Sequence, residues 1–230
     1  MCAKFAGFPE DTFSFLNELV NNNSREWFEP QKERYEGSVR EPALEFIAAM
    51  SEPLAELAPH FQAIPKKVGG SLMRPYRDIR FSPDKTPYKT NIGIQFRHEA
   101  GKDVHAPGYY VHVEPDGCFV GVGLWKPDSV PLKDIRQSIV DSPDEYRSIL
   151  TNSRFKKLFT LGGESLKRPP KGFDPEHPLI DELKRKDFIA SHDVPFDLIT
   201  TAKFLPSVAA SFEIAAPWVR FLCGALGLEY

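Results

Sequence analysis

The spacing of apolar residues changes once along this 230-residue chain, and that change restricts the fold class. Residues 10–58 place apolar side chains every three to four positions, which predicts amphipathic helices. Residues 71–125 alternate apolar with polar side chains, which predicts strands whose two faces differ. The change falls near Gly69-Gly70. The chain is therefore predicted to join a helical part to a β-sheet within an α+β fold.

The sheet is predicted to be an antiparallel meander, because short connections join its strands. Pro115-Asp116-Gly117 is a strong hairpin signal between two alternating segments. Ser82–Lys85 has the composition of a type I turn, with proline at its second position. The four predicted strands are Ser71–Phe81, residues 92–96, Tyr109–Glu114 and Cys118–Trp125. Phe188-Ile189-Ala190 is predicted to add a further strand.

The chain is predicted to form a single α+β domain over residues 1–230. It divides into a helical part (9–60), a sheet-forming part (71–125) and a mixed helical and loop part (128–230), with helices packed mainly on one face of the sheet. Pro53 is predicted to kink or end the third helix, and Pro217 to interrupt a long helix over Leu205–Leu226. No repeat or linker divides the sequence.

Composition excludes several classes of protein. A net charge of −3 argues against a general nucleic-acid coat protein, which is usually basic overall. Cys2, Cys118 and Cys223 are odd in number and lack a C-x-x-C pair, so neither a disulfide framework nor a cysteine zinc site is indicated. The start of the sequence lacks a signal-peptide pattern, and no apolar run is long enough to span a membrane. We therefore expect a cytoplasmic protein with no membrane partner.

The segment Lys66–Asn91 is unusually basic. It holds seven basic and two acidic residues, a local charge of +5 in a chain of net charge −3. Arginine and lysine set among glycine, proline and tyrosine indicate a shaped surface that holds an anion, rather than a solvated helix face. We call residues 66–91 the basic segment.

The leading interpretation is a pocket for a phosphorylated or otherwise anionic small molecule. Arginine supplies a bidentate fork for phosphate or carboxylate, lysine a flexible point charge, and tyrosine a ring and a hydroxyl. A second basic loop is expected to close over this pocket. The candidate ligand-binding residues are Arg74, Tyr76, Arg77, Asp78, Arg80, Lys85, Tyr88, Lys89, Lys167, Arg168 and Lys171.

Other interpretations of the basic segment remain open. Asp78 clamped by arginines and Asp84 capping the turn would make a purely structural network of ion pairs. A non-enzymatic module would use the same patch to contact nucleic-acid backbone or a protein partner. An enzyme acting on the anion would use Asp78 or Tyr88 for proton transfer. No G-x-S-x-G or catalytic cysteine context occurs, so the sequence assigns no catalytic residue, cofactor or oligomeric state.

Three histidines recur at intervals of seven residues: His98, His105 and His112. With Asp103 or Glu114 nearby they suggest a metal site across a hairpin. This spacing is not a metal signature, unlike H-E-x-x-H on a helix. We therefore assign no metal.

Four segments of the chain carry a family resemblance. They are GFPEDTFSFLNELVNNNSREWFEPQKERYE, GGSLMRPYRDIRFSPDKTPYKTNIGIQF, GYYVHVEPDGCFVGVGLWKP and ESLKRPPKGFDPEHP, of which RFSPDKTPYKTN is the most specific part. Together they resemble the bacterial and fungal domain-of-unknown-function family 2461 over nearly the whole chain. The resemblance implies a cytoplasmic protein with this domain as essentially its whole content, and it implies no activity.

Overall fold

The computed structural model describes residues 5–101 and 106–230. Within these ranges the helices are α1 (Glu10–Asn21), α2 (Arg25–Phe28), α3 (Lys32–Tyr35), α4 (Glu41–Leu57), α5 (Ser129–Asp141), α6 (Pro143–Thr151), α7 (Ser153–Leu158), α8 (Ile180–Leu183), α9 (Phe196–Ile199) and α10 (Phe204–Ala225). A 3₁₀ turn (Glu29–Gln31) and a π-helical turn (Glu36–Arg40) join the elements between α2 and α4. The strands are β1 (Phe61–Gln62), β2 (Ile92–His98), β3 (Gly108–Glu114), β4 (Gly117–Leu124), β5 (Thr160–Gly162) and β6 (Phe188–Val194).

The strands form one antiparallel sheet in the order β1-β2-β3-β4-β6-β5. The predicted meander is confirmed for β2, β3 and β4, and Pro115-Asp116 makes the tight turn of the β3–β4 hairpin. The predicted strand at Phe188 is confirmed as β6, which lies between β4 and β5. The fold is α+β, as the change of apolar period predicts.

One face of the sheet is covered by helices and the other is open. Along β3 and β4 every second side chain is buried, as for Val111 and Val120, while the residues between them remain half exposed. Helices α4 and α10 pack on the covered face. We call the uncovered side the open face.

Helix α10 forms the centre of the core. By length and composition it is long and apolar enough to cross a membrane, but 56% of that window is buried within the protein. Trp218 and Phe212 are fully buried, and the helix packs on β4, α4, α5 and α6. Core packing accounts for its apolar composition.

The prediction that α4 could end at Pro53 is wrong, and so is the prediction that α10 is interrupted at Pro217. Helix α4 continues through Pro53, and α10 continues through Pro217. Each proline removes one helical hydrogen bond. Buried neighbours on either side, such as Met50 and Leu54 in α4, keep the chain helical because ending the helix would expose their apolar surface.

The predicted strand Ser71–Phe81 is also wrong as a continuous element. Only isolated bridges occur there, Leu72 with Ile94 and Tyr76 with Tyr88. Proline has no N–H to donate to a β-ladder, and Pro75, with Pro83 and Pro87 on the returning side, interrupts regular pairing.

Candidate functional site

The basic segment leaves the edge of β2 and folds back on itself. Its start pairs with the strand, because Met73 N donates to Gly93 O at 2.9 Å. Further along, Arg77 N donates to Pro87 O at 2.9 Å and Lys89 N donates to Pro75 O at 2.7 Å. The segment is therefore a narrow, extended finger held by a few backbone hydrogen bonds.

The base of this finger is anchored to the first helices. Asn23, in the α1–α2 connection, donates from Nδ2 to Tyr88 O at 2.9 Å and accepts at Oδ1 from Tyr88 N at 3.0 Å. The Tyr88 ring is stacked on Phe28 with ring centroids 4.0 Å apart. Tyr88 is only 1% exposed, so its ring serves mainly to hold the segment in place.

A cleft of about 300 Å³ lies between the end of α1 and the basic segment. Its lining is mostly polar, with hydroxyl, amide and cationic groups facing the same space. The lining residues are Val20, Asn23, Arg77, Asp84, Thr86, Tyr88, Lys89, Thr90 and Asn91.

Part of the basic segment is an internal network of ion pairs, as the structural interpretation predicts. Arg77 pairs with Asp84, and Arg80 with Asp78 at 2.7 Å. The hydrogen bonds from Arg80 lower the pKa of Asp78 to about 2. The backbone N–H of Thr86, followed by Arg77, lowers the pKa of Asp84 to about 2. Carboxylates with so low a pKa are weak bases, so neither is suited to act as a general base near neutral pH.

Four cations of the basic segment have no carboxylate partner among the described residues: Lys66, Arg74, Lys85 and Lys89. Lys89 differs from the others because it is half-buried and lines the cleft. Its Nζ lies 4.0 Å from Met73 Sδ. Burial, followed by the charge of Arg74, lowers the pKa of Lys89.

Lys85 and Tyr76 lie outside the lining of this cleft. The Lys85 ammonium is exposed and donates to Ile79 O at 2.9 Å. Tyr76 is 48% exposed, and its ring centroid lies 5.5 Å from that of Tyr88. Their positions make them flanking residues rather than parts of the cleft wall.

The second basic loop lies elsewhere on the molecule. Lys167, Arg168 and Lys171 follow β5, at the opposite edge of the sheet from the β2 edge that carries the basic segment. Leu166 N donates to Lys184 O at 2.8 Å, which fixes this loop to the end of α8. All three basic side chains are exposed. The structure does not bring them to the basic segment.

A hydrogen-bonded group of three side chains on β3 escaped the sequence analysis as a unit. Tyr110, His112 and Glu114 alternate along the strand and therefore share the open face. Tyr110 OH lies 3.0 Å from His112 Nδ1, and His112 Nε2 lies 3.2 Å from Glu114 Oε2. The alternating polar pattern was the available signal. No sequence pattern pointed to the role of Asn23, because its partner Tyr88 lies 65 residues away.

The histidines at intervals of seven do not form a common site in the described chain. His98 faces the covered side and His112 the open face, as their strand positions dictate. His98 Nε2 donates to Glu229 O at 2.7 Å, and its Nδ1 accepts from Ala100 N at 3.1 Å. His105 lies outside the described residues. Over residues 5–101 and 106–230 no group of three or more potential metal ligands occurs.

The family membership follows from a comparison with family models. The model described as "Conserved hypothetical protein (DUF2461)" matches residues 11–221. The chain belongs to this family. The resemblance drawn from the four sequence segments is thereby confirmed. No curated protein and no solved structure matches the chain, so the chemistry of the site has to be argued from its geometry.

Proposed function

We propose that the cleft binds an anionic small molecule, with a phosphate or similar group held by Lys89. The observation that carries the proposal is a half-buried ammonium without a carboxylate partner. The cleft around it is lined by hydroxyl and amide groups and by Arg77 and Asp84, whose charges are paired with each other. Burying a cation is costly unless it is paired. A bound anion supplies the missing partner.

The surrounding groups suit an oxyanion. Asn91 supplies an amide N–H, Thr90 supplies a hydroxyl, and Arg77 adds a guanidinium that is already shared with Asp84 and with the Thr86 hydroxyl. A charge-assisted hydrogen bond from Lys89 is about twice as strong as a neutral one. A volume of about 300 Å³ has room for a phosphate group and a small carbon skeleton.

A cytoplasmic location belongs to this proposal. Cys118 and Cys223 are free and buried, which fits a reducing compartment. Small phosphorylated compounds are the ligands that such a cleft would meet there.

The test is stabilisation by sulfate, a stand-in for the phosphate group. Thermal unfolding is measured in sodium sulfate and in sodium chloride of equal ionic strength, for the wild type, Lys89→Met and the matched control Lys85→Met. A ligand at 100 times its Kd stabilises the native state by about 2.7 kcal/mol. We expect a sulfate-specific rise in Tm for the wild type and Lys85→Met, and loss of most of it in Lys89→Met.

Sulfate also stabilises proteins generally, because it is excluded from their surfaces. Lys89→Met measures that general effect, since it keeps an unbranched side chain only one atom shorter and removes the charge. Equal sulfate responses in the wild type and Lys89→Met would reject the proposal. Without sulfate, Lys89→Met should be as stable as the wild type or more so, because it removes a desolvated charge.

A second candidate function is contact with nucleic-acid backbone, favoured by the tip of the finger. Phe81 is 94% exposed, and the Arg80 guanidinium lies 5.8 Å from its ring centroid. Exposed aromatic rings beside cations are typical of single-strand binding surfaces. The salt dependence of binding distinguishes the two candidate functions. Backbone binding to an oligonucleotide falls steeply as salt rises, whereas binding in the cleft should fall less.

A further inference from the structure

The group Tyr110, His112 and Glu114 holds one phenol in a fixed orientation. The carboxylate of Glu114 accepts from His112 Nε2–H, which leaves Nδ1 to accept from the Tyr110 hydroxyl. The imidazole is stacked on Phe119, with ring centroids 4.6 Å apart and an angle of 14° between the planes. Histidine is thus restrained on both nitrogens and on one face, and it fixes the position of the phenol.

This group lies next to the cleft. Asn91 lines the cleft, and its Nδ2 is 3.4 Å from His112 Nδ1. A Cβ on Gly93 would lie 2.9 Å from both Met73 Sδ and the Tyr110 hydroxyl. The same sulfur is 4.0 Å from Lys89 Nζ. The ammonium and the phenol therefore both lie close to the sulfur of Met73, at the border between the cleft and the open face.

The open face beside the phenol carries several neutral polar groups, together with Arg97, whose Nε donates to Gln95 Oε1 at 3.1 Å. One row crosses five strands in register: Gln95, Tyr110, Gly121, Ser191 and Thr160. Gly121 has no side chain, so the row has a gap between Tyr110 and Ser191. Tyr110 and Ser191 are half exposed there.

We infer that the ligand of the cleft extends onto the open face, where Tyr110 donates a hydrogen bond to one of its hydroxyl or carbonyl oxygens. This inference rests on the proposed function, because Lys89 holds the charged end. The class of ligand it names is a phosphorylated sugar or polyol. The row itself consists of neutral hydrogen-bonding groups, and the guanidinium of Arg97 at its end is bonded to Gln95. This suits a molecule with one anionic end and a hydroxyl-rich remainder.

The phenol is suited to donate rather than to attack. Burial and the charge of Glu114 raise the pKa of Tyr110 to about 12, so the hydroxyl keeps its proton near neutral pH. When a ligand oxygen approaches, the hydroxyl proton can turn towards it while Asn91 Nδ2 remains beside His112 Nδ1. Tyr110 is thus a binding residue, and His112 and Glu114 hold its hydroxyl in place before the ligand arrives.

Calorimetric titration with ribose 5-phosphate, inorganic phosphate and ribose tests the inference. Tyr110→Phe removes only the hydroxyl, and Tyr76→Phe is the matched control in the basic segment. A net hydrogen bond of about 0.5–1.5 kcal/mol corresponds to roughly a 2- to 10-fold change in Kd. We expect Tyr110→Phe to raise the Kd for ribose 5-phosphate by this factor and to leave the Kd for phosphate unchanged. Tyr76→Phe should change neither Kd.

A second variant tests the same surface without altering the phenol. Gly121→Val fills the gap in the row with a residue favoured in strands, and a Cβ at this position makes ordinary contacts at 3.7 Å. Gly121→Val should weaken the binding of ribose 5-phosphate and leave the binding of phosphate unchanged. If neither Gly121→Val nor Tyr110→Phe weakens ribose 5-phosphate selectively, the inference is wrong.

The experiment separates failure of the inference from failure of the proposed function. If phosphate binding depends on Lys89 but sugar phosphate binding is unchanged in Tyr110→Phe, the proposed cleft site stands and the proposed contact with the open face is wrong. If ribose binding depends on Tyr110 and phosphate does not bind, Lys89 does not hold the charged end of the ligand, and the contact with the phenol stands.

Discussion

The side chain of Asn23 pairs with the backbone of Tyr88 as a second strand would, donating to its carbonyl at 2.9 Å and accepting from its N–H at 3.0 Å. An amide side chain has one donor and one acceptor at the spacing of a peptide group. It therefore satisfies both backbone groups of a residue that lies in an irregular segment. Since Lys89 follows Tyr88 directly, this pair also sets the position of the ammonium in the cleft.

Replacing Asn23 with alanine should destabilise the protein and weaken sulfate binding. Loss of the side chain leaves two backbone groups of a buried residue unpaired, at a cost of about 1–3 kcal/mol each unless water replaces the partner. Chemical denaturation measures the free energy of unfolding. The control is Asn21→Ala, whose exposed side chain bonds only Asn17 O within its own helix. Equal stability of the two variants would contradict the anchoring role.

The ring of Tyr88 should matter more than its hydroxyl. It is 1% exposed and stacked on Phe28, so Tyr88→Phe keeps the packing and is expected to change stability little. Tyr88→Ala leaves a cavity and should cost about 3–5 kcal/mol, as for other large aromatic deletions. If Tyr88→Phe folds normally but no longer binds sulfate, the Tyr88 hydroxyl contacts the anion. A purely structural role for Tyr88 would then be wrong.

Asp78 and Asp84 should keep their charge far into the acid range. Each pKa is lowered to about 2 from a model-compound value of 3.8. A lowered folded pKa gives stability that is present above the unfolded pKa and is lost as pH falls through the folded one. Titration of the carboxyl ¹³C signals should therefore give midpoints near 2 for both residues. Midpoints near 3.8 would mean that the ion pairs are not maintained in solution.

Gly123 marks a position where the backbone of the sheet excludes a side chain. Its φ is +109°, and a Cβ would lie 2.0 Å from Phe188 O. Gly123→Ala should be destabilising by about 1–3 kcal/mol or more, because both the conformation and the contact are unfavourable. The control is Gly117→Ala at the start of the same strand, where a Cβ would meet nothing within 4 Å. Equal melting temperatures for the two variants would contradict this reading of the sheet.

Most of the fold follows from local pattern, and the exceptions all involve proline. The alternation in residues 92–124 predicted three paired strands because each has one apolar face that must be buried. Pro53 and Pro217 do not end their helices, because the local cost of each proline is overcome by burial of the neighbouring helix surface. In Ser71–Phe81 the prolines prevail, since alternation of apolar and polar residues does not form a strand where proline breaks the pairing.

The candidate site was predictable only in part. Charge density located the basic segment, but it did not distinguish Lys89, which is half-buried in the cleft, from Lys85, which is exposed and bonded to a backbone carbonyl. That difference depends on how the finger folds back. The contribution of Asn23 and the meeting of Asn91 with His112 depend on pairings between distant parts of the chain, which no local pattern records.

The pH dependence of sulfate binding follows from the position of Lys89. Burial, followed by the charge of Arg74, lowers its pKa from the usual 10.5. Without an anion, the folded state therefore binds fewer protons than the unfolded state between the lowered pKa and 10.5, so Lys89 makes stability rise with pH through that window. Sulfate needs the charged ammonium. Its stabilising effect should fall as pH rises through the lowered pKa, before ordinary lysines lose their protons.

Lys89→Arg provides the matched control, since guanidinium stays charged throughout this range. The sulfate-specific rise in Tm, measured against chloride of equal ionic strength from pH 7 to pH 10.5, should decline earlier in the wild type than in Lys89→Arg. Sulfate keeps its charge over the whole interval, so any decline reports on the protein. If both proteins lose the response at the same pH, the anion is held by other cations of the basic segment and Lys89 is not its partner.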